Sequence, residues 1–269
     1  MIKAFVYLVL VASLFLVAFR GVSSCSQAGE KQLALAYSMA FKGRYKEAVD
    51  AYEAALAKLP RDAYYQRVAA HKRAGEISRL FLMDYAKAIR HFKALADLEK
   101  GESGFQARIA VAEILRYNLC EIRPAIVEYQ NLVKAYPEHP DIPKYQVEIG
   151  KCYNAIGDYR QAIVEASVVV RGHPESRYAQ DAALLIADSK YLQGNVRGAA
   201  QDYERFLEEH PDSELVPDAA FALANCYEDM GEPDLARSKL AEIASRVRDS
   251  GAIELKMQRL KTRIRQMGR

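Results

Sequence analysis

Apolar residues recur three and four positions apart along most of the chain, with polar residues between them, a period that belongs to helices and not to strands. Leu33, Leu35, Ala36 and Ala40 line one face of a first helix, and Ala48, Tyr52, Ala55 and Leu56 line that of a second. Gly43-Arg44-Tyr45 separates the two, and Pro60 stops the second. The arrangement then recurs. Pro137, Pro174 and Pro211 are 37 residues apart, Gly157, Gly194 and Gly231 keep the same interval, and Ala88, Ala125, Ala162, Ala199 and Ala236 share one phase. A fixed period of this size predicts a stack of helix hairpins, each burying its apolar face against its neighbours. Six hairpins are expected across residues 29–247. The second is the most degenerate, because its first helix shows no large-apolar–glycine pair in the expected place and it follows the first hairpin by 40 residues.

The two ends break the pattern differently. At the C-terminus, Ile253, Met257, Leu260, Ile264 and Met267 form an apolar stripe on a basic helix over residues 252–269, which holds six Lys/Arg against one acid, Glu254. The stripe continues the repeat stack, so the helix is read as a cap, with contact to acidic headgroups as the alternative. At the N-terminus, Lys3 precedes an uncharged run from Ala4 to Phe19, followed by Arg20 and Gly21-Val22-Ser23-Ser24-Cys25. Residues 1–24 read as an export signal, the apolar run being short of the roughly 20 residues a bilayer span needs.

Composition supports order: half of the chain is apolar, 27% is charged, and glycine and proline are few. A net charge of +3 is too small to point to nucleic acid. Besides Cys25 there are three cysteines, Cys120, Cys152 and Cys226, none in a CxxC pair. Cys152 and Cys226 share a phase two repeats apart, too far for a disulfide, and are expected to be small buried packing residues.

The hairpins resemble the tetratricopeptide repeat. Ile149-Gly150, Tyr153, Gly157-Asp158-Tyr159, Ala162, Val169 and Pro174 carry the resemblance best, followed by Ile186-Ala187, Gly194, Ala199, Tyr203, Phe206 and Pro211, and by Leu223-Ala224, Tyr227, Gly231, Ala236, Leu240 and Ile243. In the third hairpin Cys120 replaces the turn glycine. The resemblance implies an all-α fold, a right-handed superhelical α-solenoid of about six helix pairs. Asp84, Asp158 and Asn195 stand where second helices begin and should cap them. The three residues beyond a 34-residue period fall after the closing prolines, as in Pro174-Glu175-Ser176 and Pro211-Asp212-Ser213. This link is similar to that of bacterial envelope relatives, the β-barrel assembly lipoproteins and the periplasmic repeat protein of the Tol–Pal system. Val22-Ser23-Ser24-Cys25 likewise resembles a lipobox, which implies lipidation at Cys25, a linker over 25–28, and a periplasm-facing place on the outer membrane.

No catalytic constellation is legible. The histidines, His71, His91, His139, His173 and His210, are scattered, with no i, i+4 pair and no HExxH, and there is no Gly-rich phosphate loop and no GxSxG. The expectation is a protein without enzymatic activity, cofactor, metal or nucleic acid. By repeat phase, a concave face lined by first helices should present Tyr37, Arg73, Tyr117, Lys151, Asn154, Asp188, Tyr191, Asn225 and Glu228, turning acidic toward Asp181 and Asp218. Such a groove suits an extended or helical segment of an envelope protein. The function expected is an interaction scaffold for envelope assembly or maintenance. A pilotin-like role in secretin or pilus assembly, and glycan binding or processing, are the alternatives.

Overall fold

The structure is a computed structural model that describes residues 27–244 and 251–267; the predicted signal and Cys25 lie outside the described residues. Thirteen helices and no strand occur among the described residues: α1 (27–41), α2 (Tyr45–Lys58), α3 (Tyr64–Leu80), α4 (Tyr85–Leu98), α5 (Glu102–Glu113, continued by a π-helical turn Ile114–Asn118), α6 (Ile122–Ala135), α7 (Ile142–Ala155), α8 (Tyr159–Gly172), α9 (Ala179–Leu192), α10 (Val196–Glu209), α11 (Val216–Asp229), α12 (Pro233–Ala244) and α13 (Gly251–Met267). Odd- and even-numbered helices pair into six hairpins, giving an all-α repeat solenoid. The chain divides into two compact units, residues up to Glu128 and residues from Tyr129.

Every hairpin turns on a residue with positive φ: Gly43, Met83, Cys120, Gly157, Gly194 and Gly231, with φ between 53° and 87°. The four glycine turns are Schellman motifs, in which Asp158 N–H donates to Tyr153 O at 2.9 Å and Gly157 N–H to Asn154 O at 3.0 Å. At Met83 and Cys120 the closing bond spans one residue more, from Asp84 N–H to Ser78 O and from Glu121 N–H to Leu115 O. One inserted residue accounts for this in both. In the third hairpin the π-helical turn absorbs it, as such turns do.

The insertion also hides the packing residue of the second hairpin. In four hairpins a buried small residue lies twelve positions before the buried alanine of the partner helix: Ala36, Gly150, Ala187 and Ala224. In the second and third it lies thirteen before, at Gly75 and Ala112, so the second hairpin does carry its small residue, one position out of phase. There the backbone needs the room. A Cβ on Gly75 would stand 2.9 Å from the Phe92 ring, and one on Gly150 2.8 Å from Leu185 Cδ2.

In the first unit, Leu33, Ala36, Ala48, Tyr52, Ala55, Ala70, Ala74 and Ile77 form one core, and Ala88, Phe92, Leu95, Val111 and Ile114 another. In the second unit, Tyr203, Phe206, Leu223, Tyr227 and Leu240 form a core joined by Ile253 and Leu260 of α13. These two keep the beat, standing 37 residues after Val216 and Leu223. Where Gly150, Ala187 and Ala224 admit a second helix, α13 has an exposed Lys261.

Second helices begin as expected. Asp84 Oδ1 accepts from Lys87 N–H at 2.9 Å, Asp158 Oδ1 from Gln161 N–H at 3.1 Å, and Asn195 Oδ1 from Gly198 N–H at 3.1 Å. The three-residue excess folds into a small turn whose side chain bonds the backbone two residues on. Ser176 Oγ accepts from Tyr178 N–H at 3.3 Å, Ser213 Oγ from Leu215 N–H at 3.2 Å, and His139 Nδ1, in the same phase, from Asp141 N–H at 3.2 Å. Cys152 and Cys226 are buried and unbridged, and Cys120 is exposed.

Candidate functional site

In the second unit the first helices α7, α9 and α11 place Lys151, Asn154 and Asp188 around one cleft of about 340 Å³. Asp181, Leu184, Leu185, Asp218 and Ala219 complete it, with Tyr203 reaching in from α10. Lys151, Asn154 and Asp188 are each held. Lys151 Nζ pairs with Glu148 at 3.0 Å, one turn back on α7. Asn154 Oδ1 accepts from the buried Ser189 hydroxyl at 2.9 Å, which ties α7 to α9. Asp188 accepts from the Tyr203 hydroxyl. The confined cleft withdraws water from Asp188 and raises its carboxyl pKa, and the charge of Asp218 raises it further, against the lowering effect of the Tyr203 bond. The Tyr203 hydroxyl is itself pushed up, first by burial and then by Asp188. Three carboxylates against one lysine make a cleft whose field favours a cation.

Tyr191, also on α9, donates to Asp229 Oδ2 at 2.6 Å, and that bond, ahead of burial, moves its phenol up to about 12. Asn225 and Glu228 meet a different neighbour. Lys256 of α13 donates to Asn225 Oδ1 at 2.8 Å and pairs with Glu228, with its ammonium 5.6 Å from the Phe221 ring centroid. Two residues expected to line the groove thus also contact α13, which stands in the phase of a seventh first helix.

In the first unit, Tyr37 is exposed and set edge-on to Tyr52, centroids 5.5 Å apart. Arg73 and Tyr117 do not stand in the register shared by Tyr37, Lys151, Asp188 and Asn225 but three residues before it and four after it. Glu76 and Glu113 occupy it, one residue after Gly75 and Ala112. Glu76 pairs with Arg73 at 3.1 Å and Glu113 with Arg79 at 3.0 Å. Tyr117 lies in the π-helical turn under the Arg116 guanidinium, 4.8 Å from its ring centroid.

The histidines are not all scattered. His71 of α3 and His91 of α4 bring their Nδ1 atoms to 3.2 Å, and His91 Nε2 lies 3.3 Å from Glu53 Oε1 of α2. A separation of 20 residues across a hairpin gave no sign of this. Among the described residues, no group of three or more His, Cys, Asp or Glu is placed to hold a metal ion. No helix among them is long and apolar enough to cross a membrane.

With this geometry established, the comparisons place the fold. The family model described as tetratricopeptide repeat-like domain matches residues 125–256. That stretch, from α6 into α13, is similar to the family over just under half of the chain. Solved structures of repeat proteins extend the likeness to the first unit. A tetratricopeptide repeat protein from Parabacteroides merdae is similar over 88% of this chain and 86% of its own, at 17% identity and TM-score 0.53. PilW, described as a widely conserved type IV pilus biogenesis factor, is similar over 85% and 98%, at 16% identity and TM-score 0.52. MamA from Desulfovibrio magneticus is similar over 66% and 94%, at 14% identity and TM-score 0.52. No curated protein matches the chain.

Proposed function

We propose that this chain is a non-enzymatic scaffold that docks an extended or helical segment of another envelope protein on the first-helix face of its second unit. The observation that carries the reading is the cleft where α7, α9 and α11 converge Lys151, Asn154, Asp188 and Asp218 on one open space. Its walls are preorganised by Ser189 and Tyr203, so little ordering is left for a partner to induce. Tetratricopeptide repeat-like domains are typically interaction scaffolds without catalysis, which agrees.

In this reading Cys25 carries the lipid, the chain faces the periplasm from the outer membrane, and the complex it serves assembles or maintains the envelope. Support comes from the lipobox-like Val22-Ser23-Ser24-Cys25 and from the Pro-x-Ser links, whose serines close the small turns after Pro174 and Pro211. Pilus assembly is the second reading, favoured by the structural likeness to PilW.

Co-purification from cross-linked membranes tests the scaffold. The expected result is a defined envelope protein recovered with the wild-type chain and lost with Asp181→Lys plus Asp218→Lys, which reverse the charge of the cleft wall. Recovery of the same protein by the double variant overturns the groove. Metabolic labelling with palmitate, compared with Cys25→Ser, tests the anchor separately.

A further inference from the structure

We propose that the edge of the first unit formed by its three hairpin turns docks on an anionic lipid surface. The inference needs neither the cleft of the second unit nor lipidation of Cys25.

The turns are neighbours in space. The Tyr45 ring, just after the first turn, stacks on Phe81 of the second at 4.0 Å between centroids. Asn118 of the third donates to the Tyr85 hydroxyl, just after the second, at 3.2 Å. Along this edge large apolar side chains point into solvent: Phe41 is 94% exposed and Met83 70%, with Leu80, Phe81 and Tyr117 also more than half exposed. The corresponding turns of the second unit carry one such residue, Leu192. Exposed apolar side chains grouped this way mark an interaction or membrane surface.

The backbone supports this. Four hairpins place glycine at the left-handed turn position, and the first unit places Met83 and Cys120 there at φ 53° and 56°. A side chain in that conformation costs roughly 1–2 kcal/mol. Met83 gains nothing inside the fold to offset the strain, since most of its surface stays in water, so its use lies outside the fold.

Charge selects the occupant. Lys42, Arg44 and Lys46 surround the first turn, all exposed; Arg44 pairs with Glu47, the acid among them, which leaves Lys42 and Lys46 as the cations that face a surface. Arg116 lies against Tyr117 at the third. Aromatic and aliphatic side chains that stand out from turn apices, flanked by Lys and Arg, fit a bilayer interface. There the apolar groups enter the acyl boundary and the cations meet phosphate.

The chain contains no tryptophan, which gives a local test. The apolar run of residues 4–19 would itself carry the full chain to vesicles, so sedimentation is not the readout; emission from one position is. Phe41→Trp and, as control, Leu192→Trp are placed in the full chain, each at an exposed site. They are mixed with vesicles of phosphatidylglycerol and phosphatidylcholine, or of phosphatidylcholine alone. The expected result is a blue shift and loss of acrylamide quenching at position 41 on the anionic vesicles, with no change at 192. Adding Lys42→Glu and Lys46→Glu should raise the lipid concentration at half-shift by roughly tenfold or more. An unchanged spectrum at position 41, or equal shifts at 41 and 192, overturns the proposal and leaves the edge to a protein partner.

Discussion

His71 and His91 face each other Nδ1 to Nδ1 at 3.2 Å, twenty residues apart in sequence, on the two helices of the second hairpin. One nitrogen must donate and the other accept, so the pair is stable only while at least one ring is neutral. Burial lowers both pKa values, that of His71 to about 4, and each ring is further disfavoured as a cation by a neighbour: His91 and Arg67 around His71, Arg90 and Lys87 around His91. Glu53 acts the other way on His91.

Acid should therefore loosen the first unit. For a histidine whose folded pKa is depressed, the unfolded chain binds protons first. Stability is complete above pH 6.5 and falls as pH drops from there toward 4. A loss on the order of 2 kcal/mol is expected across this window, allowing for partial solvent access at His71. Urea unfolding at pH 7 and 4.5 measures it. His71→Gln, which retains a bonding side chain without titrating, should flatten the dependence. An equal slope in the variant would remove the pair as its cause.

The left-handed turns give a contrast of sign. Met83→Gly relieves strain at φ 53° but adds unfolded-state freedom, so a net gain of about 0.5–1 kcal/mol is expected. Gly157→Ala, at φ 79°, should cost about 1 kcal/mol or more although nothing lies within 4 Å of the added methyl. Gly75→Ala should also destabilise, by about 1–3 kcal/mol, for a different reason: its methyl meets the Phe92 ring. Thermal melts of the three variants separate conformational from packing effects. Adding Phe92→Leu should rescue part of the loss at position 75 alone.

Much of this fold was legible because its dominant constraint is periodic. Ala162, Ala199 and Ala236 are buried where the beat put them, and Asp84, Asp158 and Asn195 cap where a turn chemistry was read. What escaped had lost the beat by one residue. The thirteen-residue spacing of Gly75 from Ala88 concealed a close helix crossing. Contacts between positions that share no period, His71 with His91 and Tyr203 with Asp188, depend on rotamer and burial, which apolar spacing does not encode. Tyr203 looked like packing and is packing, but its hydroxyl also orients a carboxylate in the cleft.

Lys256 is one of the groups that hold α13. It is mostly buried between Asn225 and Glu228, and its removal takes a charge partner from the Glu228 carboxylate. Lys256→Ala should cost about 1–3 kcal/mol. The loss should be local: faster amide exchange and proteolysis in α13, as Ile253 and Leu260 leave their core, with little change in α7–α10. Uniform acceleration across the second unit would mean that α13 does more than close the stack.

The Asp188 titration reports on the cleft itself, because its two polar neighbours act on it in opposite directions. The Tyr203 hydroxyl lowers its pKa by bonding the ionised form, and Asp218 raises it by repulsion. Tyr203→Phe should move the pKa further up and Asp218→Asn should move it down, each readable from carboxyl chemical shifts. The stability sign follows. A carboxyl whose folded pKa is raised contributes stability below its unfolded pKa and loses it as pH rises through the folded value, so the deficit of Tyr203→Phe should be larger at pH 7 than at pH 3. A partner segment that seats a lysine or arginine in the cleft should lower the same pKa, so that binding releases the Asp188 proton wherever the carboxyl is still protonated. Its affinity should then increase with pH through the Asp188 titration. A segment whose affinity falls over that range would be anionic, and the acidic wall would not be what holds it.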